Sequence, residues 1–277
     1  MDNIKDFIEP YTALDRPIPY KGLNIYPILV KDWYKFISAY DILNIDKTQL
    51  NDINVIQMSY LKFMLELILS NVDGDIWKDK FLTILELCFN IKCDSRYYLD
   101  NFEYGEILFT KADNEESNIF INGYNVKFHL AGKDRANIII NDIDFTATDF
   151  KEVIRIIMYQ NFIDYDDTPM SDDFKEIVEK YYHAKNKKIV APSLEKKISV
   201  LMAKSGYNKD SIENMSYRKF EMIFNIIVDE DDYLIGSMAQ VQGAKCDVEH
   251  WIYKKNKNKY SEIFRDADEY IKKITAI

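Results

Sequence analysis

From Arg96 until Thr146 the spacing of apolar residues changes from three-and-four to two. The stretches "EILFT", "SNIFINGYNVKFHLAG" and "RANIIINDIDFT" alternate apolar with polar side chains and are rich in β-branched and aromatic types. That is the pattern of strands with one buried face. On either side the period is helical. A chain that switches period in this way must set a sheet between blocks of helix. The predicted class is α+β, mostly helical, with a small inserted antiparallel β-sheet of three or four strands. Three segments follow: an N-terminal arm and helical segment over 1–95, the sheet over 96–145, and a C-terminal helical segment over 146–277. Asn122-Gly123 predicts a type I′ hairpin, which needs positive φ at both positions. Gly132 and Asn141-Asp142 mark further turns.

The helical blocks carry their own punctuation. "VKDWYKFISAYDIL" places Trp33, Phe36, Ile37 and Tyr40 on one face, with Asp32 as N-cap. "SYLKFMLELILSN" and "DKFLTILELCFNIK" have wide apolar faces suited to a packed interior. "TATDFKEVIRIIMYQNFI" starts from Thr146 or Thr148, with acids in the first turn where the helix dipole favours them. Ser171 is placed to cap "DDFKEIVEKYYHAKNKK". Pro192-Ser193 opens a helix closed by Gly206 at C′, and a last helix is predicted from Tyr260. Gly236, Ala239 and Gly243 lie roughly on one helical face, which predicts close approach of another helix.

One phrase is written twice, "MSYLKF" from Met58 and "MSYRKF" from Met215. With Ser59 and Ser216 as N-caps, Met58 and Met215 fall at N′, and Phe63 and Phe220 at N4, the positions of a hydrophobic staple. Lys at N3 keeps both from being full capping boxes. The flanking sequences share little beyond polarity, so the repetition reads as two helix starts built alike rather than as a duplication or a binding motif.

Near the N-terminus, "EPYTALDRPIPYKGLNIYPILV" is rich in Pro and aromatics. Pro17 and Pro19 hold it extended. Such an apolar arm must lie against its own core or a partner. As a docking arm it would add to a partner's sheet edge, with Pro17, Ile18, Pro19, Tyr20 and Tyr26 as the partner-binding residues. The expectation attached to that reading is that the fold survives removal of the residues before Gly22.

Composition narrows the function classes. The net charge of −10 argues against broad nucleic-acid binding, which rewards positive charge. Three Cys in 277 residues make no disulfide framework. The opening "MDNIKDFIEP" is not a signal peptide, and no apolar run reaches the ~18 residues of a membrane span.

The candidates for chemistry are thin. Cys88-x4-Cys93 with Cys246-x3-His250 would suit structural zinc, but the pairs lie in different segments. The acidic runs Asp164–Asp167 and Asp229–Asp232, read as loops, could hold a divalent cation, although consecutive acids cannot all face one ion. "NVDGDIW" (71–77) imitates a calcium loop without its closing Glu. His129, His183 and His250 are scattered, and no phosphate loop or nucleophile elbow occurs. The basic runs "KNKK" and "KKNKNK" lack the interleaved aromatics that stack bases. No catalytic residue, metal or cofactor is assigned.

The order of an extended Pro-rich arm, "KGLNIYPILVKDWYKF" and then "NDINVIQMSYLKFMLELI", followed later by "LEKKISVLMAKSGYNKDSIENMSYRKF" and "SMAQVQGAKCDVEHWIY", resembles structural-module proteins of tailed phages of low-GC Gram-positive hosts. The first third is also similar to the baseplate-hub assembly proteins of T4-like phages. Those begin with an extended Pro–Gly–Ile segment and continue into a Tyr-Leu-Phe helix. Pro19–Lys31 and Tyr60–Leu67 are the counterparts here, without the Arg that ends the family's helix. The resemblance implies a virion structural or tail/baseplate assembly protein in the virion or host cytoplasm. Its partners would be other phage structural proteins, with homo-oligomer formation left open, and it implies no enzyme activity, nucleic acid or membrane. Two other classes stay open: a metal-dependent, nuclease-like enzyme using the acidic runs, and a phage-encoded inhibitor of a host protein whose acidic surface imitates nucleic acid.

Overall fold

The computed structural model describes residues 4–50, 52–94, 96, 101–112, 115–130, 134–167, 174, 177–178, 180–181, 191–246, 248 and 250–253. Helix α1 (Ile4–Thr12) buries Ile4 and Ile8. Strands β1 (Ile18–Tyr20) and β2 (Leu23–Ile25) form a two-stranded antiparallel sheet. Their turn is Lys21-Gly22, both at positive φ, the geometry that matches the twist of paired strands. A 3-10 turn (Val30–Asp32) leads into α2 (Trp33–Ala39). Asp32 makes no side-chain cap there, because it already has helical φ and ψ as the last residue of that turn.

Helices α3 (Ile53–Gln57), α4 (Tyr60–Ile68) and α5 (Gly74–Phe89) follow. Lys47 closes the end of α3, its ammonium donating to the carbonyls of Val55, Ile56 and Met58. Tyr60 donates its hydroxyl to the Ile42 carbonyl and accepts from the Ile45 N–H. Burial pushes its phenol up to about 12, against the Ile45 bond, which lowers it.

The second sheet is an antiparallel meander of five strands in sequence order: β3 (Ile107–Ala112), β4 (Glu115–Ile121), β5 (Val126–Leu130), β6 (Ala136–Ile140) and β7 (Ile143–Phe145). The count exceeds the three or four strands expected, and the turn expected at Asn141-Asp142 is present, both residues at positive φ between β6 and β7. The type I′ signature therefore belongs to Asn141-Asp142. At Asn122-Gly123 only Gly123 has positive φ, as in a type II turn. Asn122 is buried, donating from Nδ2 to the carbonyls of Phe102 and Glu103 while its backbone pairs with Gly105 and Glu106. A Cβ on Gly123 would lie 2.5 Å from both Cys93 Sγ and the Tyr104 ring, so the position admits only glycine.

Helix α6 (Ala147–Asn161) starts at a full capping box: Thr146 Oγ1 accepts from the Asp149 N–H, and Asp149 accepts from the Thr146 N–H. Thr146, not Thr148, is the cap. One core then spans α1, both sheets, α2 and α4 to α6, with Phe36, Phe81, Phe128, Phe145 and Phe150 fully buried in it. The fold class is α+β.

Lys21 Nζ ties the β1–β2 turn to that capping box through Asp149, at 2.6 Å. Burial raises the Asp149 carboxyl, but the Lys21 ammonium and the Thr146 donors outweigh it and hold it below the usual carboxylate range. A depressed carboxyl contributes stability above its unfolded pKa, ~3.9, and loses it as pH falls through the folded value. Asp149→Asn should therefore cost about 1 kcal/mol at neutral pH and flatten the decline in melting temperature below about pH 4. Parallel acid melts of the two proteins check both.

The chain divides into two compact units, 1–165 with 210–221, and 166–209 with 222–277. In the second unit α7 (Leu194–Ser205) is capped by Ser193, whose hydroxyl accepts from the Lys196 N–H, and ends at Gly206 in the left-handed conformation. Both match the sequence reading. Helix α8 (Lys209–Glu213) precedes α9 (Tyr217–Val241), and the division between units falls within α9 after Glu221. Gly236 does admit a close neighbour, but it is Val248 of the returning chain, not a helix; a Cβ would sit 2.8 Å from its side chain. Ser171 as a cap, His183, both Lys-rich runs and the helix expected from Tyr260 lie outside the described residues.

Candidate partner-binding site

The arm is part of the core. Ile18 is fully buried and paired with Ile25, so it faces inward and away from any partner. Tyr20 is half-buried with its ring 6.5 Å from that of Phe145, and burial raises its phenol, with Asp149 adding to the effect. Pro19 is exposed opposite Asn24. The structure brings two of the five expected residues together in one cleft, Pro17 and Tyr26.

Residues 26–29 lead into the 3-10 turn at Val30, with Leu29 extended at φ −81° and ψ 155°, and the fold claims the N–H groups of the even-numbered residues. The N–H groups of Tyr26, Ile28 and Val30 donate to Cys88 O, Asn161 Oδ1 and Met215 O, and Ile28 O accepts from the Tyr217 N–H. Gln160 donates to the Ile25 carbonyl. Along an extended chain alternate residues turn their polar groups to opposite sides. The odd positions here are Pro27 and Leu29. The Pro27 C=O and Leu29 N–H have no hydrogen-bond partner among the described residues. Both residues line the same cleft of about 520 Å³, together with Pro17, Tyr26 and Leu87. Asp32 and Lys92 also line it, each without an ion partner among the described residues. A second, polar cleft of about 540 Å³ shares Asn90 and Lys92 with it, and its Arg96 is bound to Asp94 at 2.6 Å.

The inner side of the arm is gripped by the second copy of the repeated phrase. Ser216 Oγ accepts from the Lys219 N–H at 3.1 Å, as Ser59 Oγ accepts from Lys62 at 3.2 Å, so both serines are the caps expected. Phe63 and Phe220 are both buried. Ser216 also donates its hydroxyl to Asp15 at 2.5 Å, and Lys219 pairs with the same carboxylate. Trp33 and Tyr217 stack with centroids 3.4 Å apart and planes 3° from parallel. Burial and a bond to Glu221 raise the Tyr217 phenol. Arg218 donates to the carbonyls of Tyr159 and Phe162 at the end of α6, where a cation offsets the helix dipole. Burial lowers its pKa, opposed by Asp164. The sequence reading missed this clamp, since residue types give no sign that segments some two hundred positions apart will meet.

The other candidates are dispersed. Cys88 lies fully buried in the core of the first unit, its thiol raised by burial, and Cys93 is exposed. Cys246 and His250 belong to the second unit, where Cys246 contacts the Gly236 carbonyl and the His250 ring lies 4.8 Å from that of Tyr233. Asp229–Asp232 sit within helix α9, not in a loop, and Asp231 pairs with Lys204. His129 contacts Asn118 on the sheet. Among the described residues no three His, Cys, Asp or Glu are grouped to hold a metal ion, and no helix is long and apolar enough to cross a membrane. No family model, curated protein or solved structure matches the chain.

Proposed function

We propose that this protein works by binding other proteins, as a non-enzymatic structural or assembly component. Residues 27–29 would accept an extended segment of the partner as an added strand. The observation that carries this reading is the unclaimed Pro27 C=O and Leu29 N–H, on a segment whose other side is bonded at Tyr26, Ile28 and Val30, beside a cleft lined by Pro17, Tyr26 and Leu87. A peptide laid along that edge would bond to the backbone and set one side chain against the Pro-Tyr-Leu surface, the mode of β-strand addition. The likeness of the first third to baseplate-hub assembly proteins supports tail or baseplate components of a phage particle as the partners.

Leu29→Pro tests it with little disturbance. Leu29 has φ −81° and ψ 155°, which proline accepts, and the substitution removes an N–H that bonds to no described residue. Immobilised full-length protein should recover tail or baseplate proteins from an infected-cell extract, identified by mass spectrometry. Leu29→Pro should cut that recovery at least ~10-fold, the worth of one or two lost hydrogen bonds, with the melting temperature unchanged. Equal recovery by the variant, or no tail protein recovered by the parent, defeats the proposal.

A further inference from the structure

Helix α9 outruns the helix beside it. In the second unit α7 and α9 run alongside in the same direction: Lys197 Nζ lies 5.3 Å from the Phe224 ring centroid, and seven residues further on Lys204 pairs with Asp231 at 2.5 Å. One residue later α7 ends, while α9 continues to Val241. The face that buries Ile227 repeats at seven-residue intervals in Leu234 and Val241, with Met238 beside them. Past the end of α7 these side chains are bare: Leu234 is 46% exposed, Met238 64% and Val241 89%, and the adjoining Ile235 67%. The returning chain covers the opposite face, with Val248 on Gly236, the Cys246 carbonyl accepting from Gln240, and His250 against Tyr233.

Charge identifies what fits this stripe. Tyr233–Ala244 contains no Asp, Glu, Lys or Arg, in a chain whose net charge is −10. A strongly charged partner would leave its charges unpaired against such a surface, whereas a second copy brings the same neutral stripe by construction. We propose that two copies of the chain associate through this stripe, their α9 helices crossing antiparallel between Leu234 and Val241. That arrangement carries the acids Asp229–Asp232 of each copy toward Lys245 of the other. Glu230 and Lys245 are both exposed and have no ion partner among the described residues. A parallel crossing would set acid against acid. The stripe offers roughly 500 Å² of apolar surface per copy, or about 1,000 Å² in total, the lower end for a specific interface. The dimer is accordingly weak, with Kd on the order of 10 µM.

Sedimentation of the full chain from ~1 to ~100 µM, a range that brackets that Kd, reads the outcome. The mean mass should rise from 32.8 kDa toward twice that value. Met238→Lys with Val241→Glu should weaken association at least ~10-fold and leave the melting curve unchanged, because both side chains are exposed. Lys245→Glu should weaken it by a smaller factor. Val72→Lys, at a position 86% exposed in the other unit, should associate like the parent. A parent that stays monomeric throughout overturns the proposal, even if it captures some other protein on this stripe. So does undiminished association of the double variant, or an equal loss in Val72→Lys.

Discussion

A chain shortened to begin at Gly22 should show no cooperative unfolding transition. The first 21 residues supply Ile4, Ile8 and Ile18, exposed by 3%, 3% and 0%. Each such side chain costs about 3 kcal/mol when removed from a packed site, and the sum approaches the whole stability of an ordinary domain, roughly 5–15 kcal/mol. The same cut removes Asp15, the carboxylate bound by both Ser216 and Lys219. Thermal and urea melts followed by circular dichroism decide the matter. A sharp transition like that of the full chain would show α1 and β1 to be appendages. The inward burial of its apolar residues argues against the expectation that this stretch could be deleted without harm to the fold.

Phe220→Ala should be the most damaging single substitution in the segment 210–221, costing about 4 kcal/mol and lowering the melting temperature by roughly 10 °C. Phe220 is fully buried, and it lies in the first turn of α9 next to the residues that hold the arm. If 210–221 belongs to the cooperative core of the first unit, the loss will appear in a single transition that also releases Trp33 from its stack on Tyr217. Tryptophan fluorescence and far-ultraviolet dichroism should then coincide. A Phe220→Ala protein with an unshifted melt, or a tryptophan change that precedes the main transition, would show the clamp to be peripheral.

The elements that could be read from the sequence are those whose cause is local. Ser59, Ser193, Ser216 and Gly206 act within one helical turn of their own positions, and each does what its chemistry predicts. The alternation at 136–140 likewise puts Ala136, Ile138 and Ile140 inside. Misreadings arose where a neighbour overrode the local signal. Asp32 could not cap because the 3-10 turn before α2 already held it helical. Asn122 gave up positive φ to pair with Gly105 and Glu106. Gly236 meets Val248, a residue whose return path no local pattern marks. In the candidate site, Pro17 and Tyr26 were accessible to reasoning because proline and tyrosine announce an extended, sticky segment. The unclaimed edge at Pro27 and Leu29 was not, since it exists only once the other side of the strand has been bonded by Cys88, Asn161 and Met215.

The clamp also sets a timetable for synthesis. The first unit receives its last piece only with residues 210–221, roughly fifty positions after Tyr165 has been made. At ordinary translation rates of about 5–20 residues per second, the nascent chain waits several seconds with the seat for Met215 and Phe220 unfilled. During that interval α1 to α6 can collapse, but the end of α6 lacks Arg218 and the arm lacks the Met215 and Tyr217 backbone. Ribosome-bound chains arrested before residue 210 should accordingly be open to proteases that spare those released after Glu221.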